Sequence, residues 1–213
     1  MAPFTLVMAT RNAGKVREMG ELLQDLGVKL LSLADFPALP DIPEEGVTFA
    51  ENAAAKAREV ARLTGLPALA DDSGLEVEAL GGRPGVFSAR YAQDRTAGRT
   101  PTDEDNWYKL LDELRDVPWG ERQARFVCEI ALAWPNRGFL TTRGELQGFI
   151  ALEPKGTQGF GYDPVFWVPD YEATVAELNL AVKNRISHRG QALQELKKIL
   201  ATRKAEIFAA SPQ

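Results

Sequence analysis

ALADDSGLEVEALGG, residues 68–82, begins as an apolar, strand-forming run and then meets two adjacent carboxylates, Asp71 and Asp72, followed by Ser73 and Gly74. Burying an unpaired carboxylate costs several kcal/mol or more, so such a pair does not enter a core without a reason. Either the two aspartates mark where a strand meets water, or they hold something positive. If the strand continued through them they would point to opposite faces; Gly74 predicts a turn there instead. The carboxyl end of a strand is also where α/β folds place ligands.

Working outward, FTLVMA (4–9) reads as a first strand, TRNAGK (10–15) as a polar loop, and KVREMGELLQDLG as a helix. Val16, Met19, Leu22, Leu23 and Leu26 give that helix an apolar face, and Gly27 stops it. Loop amides at a helix N-terminus suit an anion. Residues 35–46 are rich in Pro, Asp and Glu and read as a loop that includes Glu44 and Glu45. Thr48 and Glu51 form a capping box for a second helix, which Gly65 ends. LPALA (66–70) is the next strand, GGRPG (81–85) a turn, and Thr102 with Asp105 caps a third helix bearing Trp107, Leu110, Leu111 and Leu114. Residues 122–134 and 139–150 read as a hairpin about the turn PNRG (135–138), 153–166 as a loop, and a last helix resumes at Ser187. Crossover and hairpin strands together predict a mixed α/β sheet flanked by helices.

The 213 residues suit one domain or one domain of two lobes, and 45% hydrophobic residues are enough for a substantial core. A net charge of -5 argues against broad binding to a nucleic-acid polymer. The single cysteine, Cys128, excludes an internal disulfide and a cysteine-rich zinc site. There is no apolar run of membrane-helix length and no charged, apolar leader, so a soluble cytoplasmic protein is expected.

Four constellations carry chemistry. Asp71 and Asp72 are candidates for holding magnesium, which takes carboxylate oxygens and bridges to substrate phosphates. TRNAGK is not a Walker loop: Ala9 stands where the first glycine belongs, and Val16 replaces the magnesium-binding hydroxyl. It still offers Thr10, Asn12, Gly14 and Lys15 to a phosphate, or serves only as a helix cap. In GFGYD (159–163) the glycines free Phe160 to stack on a flat ligand, and Asp163 precedes Pro164 in a turn. KNRISHRG (183–190) gathers Lys183, Ser187, the only histidine, His188, and Arg189, donors suited to a ring carrying carbonyl oxygens.

In this order the pieces resemble the inosine/xanthosine triphosphate pyrophosphatase family. The resemblance runs from TRNAGK through TFAENAAAKA, ADDSGLEVEALGGRPGVFSARY and GFGYDPVF to SHRGQAL, nearly the whole chain. It implies one catalytic domain over 1–213, an elongated mixed β-sheet flanked by helices, and two lobes with a central active-site cleft, usually in a homodimer. It implies that Thr10, Arg11, Asn12, Ala13, Gly14 and Lys15 hold the triphosphate with Lys56, and that Ser73 touches the substrate. Asp72 would be the catalytic carboxylate, and Glu44 with Asp72 would bind magnesium; Asp71 either assists at the metal or only supports. Phe160 would stack on the base, with Gly161, Tyr162, Asp163, Lys183, Ser187, His188 and Arg189 around it. The implied reaction converts ITP, dITP or XTP to the monophosphate and pyrophosphate. The alternatives are a pyrophosphatase for other modified or standard nucleotides, or a nucleotide-binding module without turnover.

Overall fold

The computed structural model describes residues 4–135 and 138–208. Asn136 and Arg137, at the centre of the expected PNRG turn, and the side chain of Leu26 lie outside the described residues. Seven strands form one sheet in the order β2-β1-β3-β4-β5-β6-β7. They are β1 (Phe4–Met8), β2 (Val28–Ser32), β3 (Ala68–Val77), β4 (Gln123–Ala133), β5 (Phe139–Ile150), β6 (Phe166–Val168) and β7 (Ala173–Thr174). β1 pairs in parallel with β2 and β3, whereas β6 pairs antiparallel with β5 and β7. The sheet is therefore mixed, as the alternation of helices and hairpin-like strands predicts. The helices are α1 (Ala13–Leu23), α2 (Phe49–Thr64), α3 (Asp103–Glu113), α4 (Leu180–Ile186) and α5 (His188–Phe208). None of the described helices is long and apolar enough to cross a membrane.

The chain divides into two compact units. The first consists of the segments up to Asp72, Cys128–Gly144 and from Arg189 onward; the second consists of Ser73–Val127 and Glu145–His188. In the first unit, period-two alternation sorts the strands onto two faces. Leu6, Met8, Leu69, Cys128, Ile130 and Leu132 meet Met19 and Leu23 of α1 and Leu193 and Leu196 of α5. Full burial of each such large side chain contributes about 1.5–3 kcal/mol. Val7, Ala9, Ala68, Ala70, Ala131 and Ala133 face the other way, against Ala53, Ala57, Val60 and Ala61 of α2. Short side chains on both partners leave little between helix and sheet.

The ends of α2 follow from its sequence. The Thr48 hydroxyl accepts the Glu51 N–H at 3.2 Å, the Glu51 carboxylate accepts the Thr48 N–H at 3.3 Å, and Gly65 closes the helix at φ +69°. In the second unit Trp107, Leu110 and Leu114 of α3 pack on Leu75, Val77, Phe126, Ile150 and Phe166. The same kind of box, between Thr102 and Asp105, starts α3.

Two expectations are corrected. No turn occurs at Gly74: β3 runs on to Val77, so Asp71 and Asp72 lie inside a strand and not at its end. The last helix begins at His188 rather than Ser187, which instead caps the short α4, an element with no sequence assignment. β2, also unassigned from sequence, is half-buried and lacks a clean alternation.

Candidate active site

Because β3 continues through the aspartates, the two carboxylates face opposite ways. Asp71 follows Leu69 onto the face of α1 and α5. Its Oδ2 is 2.9 Å from the Lys15 ammonium and accepts from the Arg189 guanidinium at 3.1 and 3.2 Å. Arg189 also donates to the Glu18 carboxylate at 2.6 Å. All of this is buried apart from Lys15, which is partly covered. Burial alone works against the Arg189 charge, but Asp71 and Glu18 outweigh it and raise the pKa above the usual guanidinium value. Asp71 is thus held by two cations, and this answers why a carboxylate enters the core at that position. The sequence reading put Arg189 at the edge of a base; the structure engages its guanidinium with Glu18 and Asp71, within the first unit.

Asp72 follows Ala70 onto the face of α2, where its Oδ2 accepts from the Asn52 amide at 2.9 Å. Burial pushes its pKa up, the Asn52 hydrogen bond opposes that, the Glu44 charge adds to it, and Lys15 and Lys56 pull it down; the outcome is about 6. Lys56, one turn beyond Asn52 on α2, pairs with Glu44. Two carboxylates close enough to raise a pKa, with lysines near, form an arrangement a hard cation relieves. Among the described residues no cluster of three or more His, Cys, Asp or Glu side chains suits a metal ion. The chain therefore offers Glu44 and Asp72 as a two-carboxylate set, and such a set fits magnesium, which keeps waters and phosphate oxygens in its remaining positions.

The loop before α1 is built by its own short side chains. Thr10 Oγ1 accepts the Asn12 N–H at 3.1 Å, and Asn12 Oδ1 accepts the Lys15 N–H at 3.1 Å as the cap of α1. Ala13 and Gly14 are the first two helical residues, so their amides point out of the N-terminus. Arg11 turns to Asp41 at 2.6 Å and to the Leu39 carbonyl at 3.0 Å. An open depression lined by Ala9, Thr10, Arg11, Leu33, Asp41, Ile42 and Lys56 lies beside this loop.

In the second unit the GFGYD loop is held tightly. Asp163 Oδ2 accepts the Phe160 N–H at 3.0 Å and is 2.7 Å from the Lys183 ammonium, which sits 4.7 Å from the centre of the Phe160 ring. Gly159 is required here: its φ is +84°, and a Cβ would fall 2.0 Å from Asp163 Oδ2. The Gly161 N–H donates to Asp103 at the start of α3, 2.7 Å away. The Tyr162 hydroxyl donates to the Ser88 carbonyl at 2.8 Å, and burial raises its pKa. His188 stacks on Phe126 with ring centres 4.8 Å apart. Ser187 is buried as the cap of α4, and Ser73 is half-buried in β3.

Sequence reasoning did not single out Glu18, Asn52 or Asp103. A signal existed for two of them. Residues 15, 18, 19, 22 and 23 form one helical stripe, as do 49, 52, 53, 56, 57, 60 and 61, and in these mostly apolar stripes Glu18 and Asn52 are polar members beside Lys15 and Lys56.

The model of the Ham1 family matches residues 6–199. The chain is 55% identical to the dITP/XTP pyrophosphatase of Geobacter sulfurreducens over 192 residues, 90% of this chain and 94% of that protein. It is 50% identical to the dITP/XTP pyrophosphatase of Halalkalibacterium halodurans over 194 residues, 91% and 97% of the two chains. The solved structure of a HAM1 protein from Coxiella burnetii superposes with a TM-score of 0.84 at 47% identity, covering 93% of this chain and 99% of that one. A match that runs through both units, from β1 to α5, leaves no large part of the chain unaccounted for, and the protein belongs to the Ham1 family.

Proposed function

We propose that the protein hydrolyses non-canonical purine nucleoside triphosphates (ITP, dITP and XTP) to the monophosphate and pyrophosphate, acting in the cytoplasm to clear them from the nucleotide pool. The observation that carries the reading is Asp72: a buried carboxylate inside a strand, held by Asn52, with its pKa raised to about 6 by burial and by the Glu44 charge and lowered by Lys15 and Lys56. The whole chain acts as one catalytic domain, paired in a homodimer. The dITP/XTP pyrophosphatase names of relatives at about half identity support the substrate class.

Amides and side chains of Thr10 to Lys15 bind phosphate oxygens, helped by the α1 N-terminus and by Lys56. Glu44 and Asp72 would hold magnesium, which would neutralise phosphate charge and acidify a water. Asp72 orients the attacking water and takes one proton from it as the water oxygen bonds to the α-phosphorus. The bond from that phosphorus to the bridging oxygen breaks, and Lys15 and Lys56 stabilise the charge on departing pyrophosphate. Ser73 contacts the substrate beside Asp72. Arg189, Glu18 and Asp71 keep Lys15 and β3 in place.

Phe160 stacks on the purine, while Gly161, Tyr162, Asp163, Lys183, Ser187 and His188 present hydrogen-bonding groups to its edge. A 6-oxo purine accepts from the donors among them, Lys183, Ser187 and His188; adenine would set its amino group against them.

Pyrophosphate release from a panel of purine and pyrimidine triphosphates, with and without magnesium, tests the reading. ITP, dITP and XTP should turn over only with the metal and well ahead of ATP, GTP, CTP and UTP. Faster turnover of a modified pyrimidine or a standard nucleotide would overturn the substrate class. Tight binding of ITP with no turnover would make the protein a nucleotide-binding module. Light scattering of the purified protein checks the dimer.

A further inference from the structure

Asn52 has neither a substrate role nor a metal role above, yet it sits where the metal-binding parts meet. Its side chain is buried in the first turn of α2, 2% exposed. Its Oδ1 accepts the Gly46 N–H at 2.7 Å, and its Nδ2 donates to Asp72 Oδ2 at 2.9 Å. The orientation of the amide is fixed by chemistry, because Gly46 N–H can only donate and a carboxylate accepts. One side chain therefore ties β3 to the loop that carries Glu44 two residues earlier.

The loop is shaped for this tie. A Cβ on Gly46 would lie 2.7 Å from Asn52 Oδ1 and 2.8 Å from Glu51 Cβ, so only glycine lets the backbone come so close. The next two amides, Val47 and Thr48, donate to Glu51 at 2.9 and 3.3 Å. Three consecutive loop amides are thus anchored on the first turn of α2. Glu51 accounts for two of them as an ordinary cap, whereas Asn52 reaches through to Asp72.

We propose that Asn52 is a positioning residue for the metal site: it fixes the rotation of the Asp72 carboxylate and, through Gly46, the distance at which the Glu44 loop stands from it. This rests on the reading that Glu44 and Asp72 share the divalent cation. Outer partners of ligating carboxylates commonly affect metal affinity or activity by about 10–100-fold. The triphosphate loop and the GFGYD loop make no contact through Asn52, so affinity for the nucleotide should be spared.

The test compares the purified wild type with Asn52→Leu and Gly46→Ala. Manganese binding without nucleotide is followed by electron paramagnetic resonance, alongside kcat and KM for ITP and thermal melting. Both variants should bind manganese at least about tenfold more weakly and lose about 10–100-fold in kcat, with KM changed less than about threefold. Because they break the same tie, the double variant should be little worse than Asn52→Leu alone. If Asn52→Leu fails to fold, Gly46→Ala decides, since it leaves the amide in place and only pushes the loop off it. Manganese affinity and kcat within twofold of wild type in a folded variant would overturn the proposal, and so would a rise in KM alone. Asp72→Asn and Glu44→Gln separate this from failure of the underlying reading. If those two abolish manganese binding while Asn52→Leu and Gly46→Ala do not, only the role of Asn52 falls. If those two bind manganese normally, the metal site itself is wrong.

Discussion

Asp72→Asn should make the metal-free protein more stable, and by an amount that depends on pH. The Asp72 carboxyl is raised from 3.8 to about 6, with burial as the largest cause. A folded-state pKa above the unfolded value means that the folded protein binds more protons between those two pH values. Stability is then highest below about pH 4, falls as pH rises through the window, and levels off above about pH 7. A shift of about two units corresponds to about 3 kcal/mol. Asparagine removes the ionisable group yet keeps an oxygen to accept from Asn52. The variant should therefore match wild type near pH 3.5 and exceed it by about 3 kcal/mol near pH 7.5. Urea unfolding in EDTA across that range measures this. A difference that is constant with pH, or a variant less stable than wild type at pH 7.5, would refute the electrostatic account of the site. Adding magnesium should shrink the gap, because wild type binds the cation and the variant binds it poorly.

The same variant should lose most turnover of ITP while staying folded; near-normal turnover would remove Asp72 from catalysis. Phe160→Ala should weaken nucleotide binding by about 5- to 150-fold, the equivalent of about 1–3 kcal/mol for stacking a base on an aromatic ring. Calorimetry with ITP reads this, and unchanged affinity would take Phe160 out of the base pocket. Arg189→Met should destabilise the protein by about 3–5 kcal/mol in urea, because Glu18 and Asp71 would be left with too little positive charge in a buried setting. A loss below about 1 kcal/mol would mean that the network is solvated after all.

How much of this was readable from the chain depended on whether the signal was local. The α2 and α3 starts were legible because a capping box is written in four consecutive residues. The strands at 123–133 and 139–150 were legible from β-forming runs flanking a Pro-Gly turn. The continuation of β3 was not, since Asp-Asp-Ser-Gly has poor strand propensity and the compensation comes from Lys15, Arg189 and Asn52, distant in sequence. The stretch 183–190 was grouped as one set because its residues are adjacent in sequence. Their partners, Asp163 for Lys183 and Asp71 for Arg189, lie far off in the sequence and left no local signal. Asn52 was overlooked because its partner, Asp72, is 20 positions away and on another element.

The alanines beneath α2 have a consequence for how this protein tolerates change. Ala53 and Ala57 share one cluster with Ala70, Ala131 and Ala133, so these small positions leave little room to absorb an added methyl group. Growth at any of these positions would lift the whole helix, and Asn52 and Lys56 would ride up with it, away from Asp72 and Glu44. Residues that touch no nucleotide and carry no charge thus act as the spacer that calibrates the acidic site, and conservative-looking enlargements there should prove more damaging to turnover than to the fold.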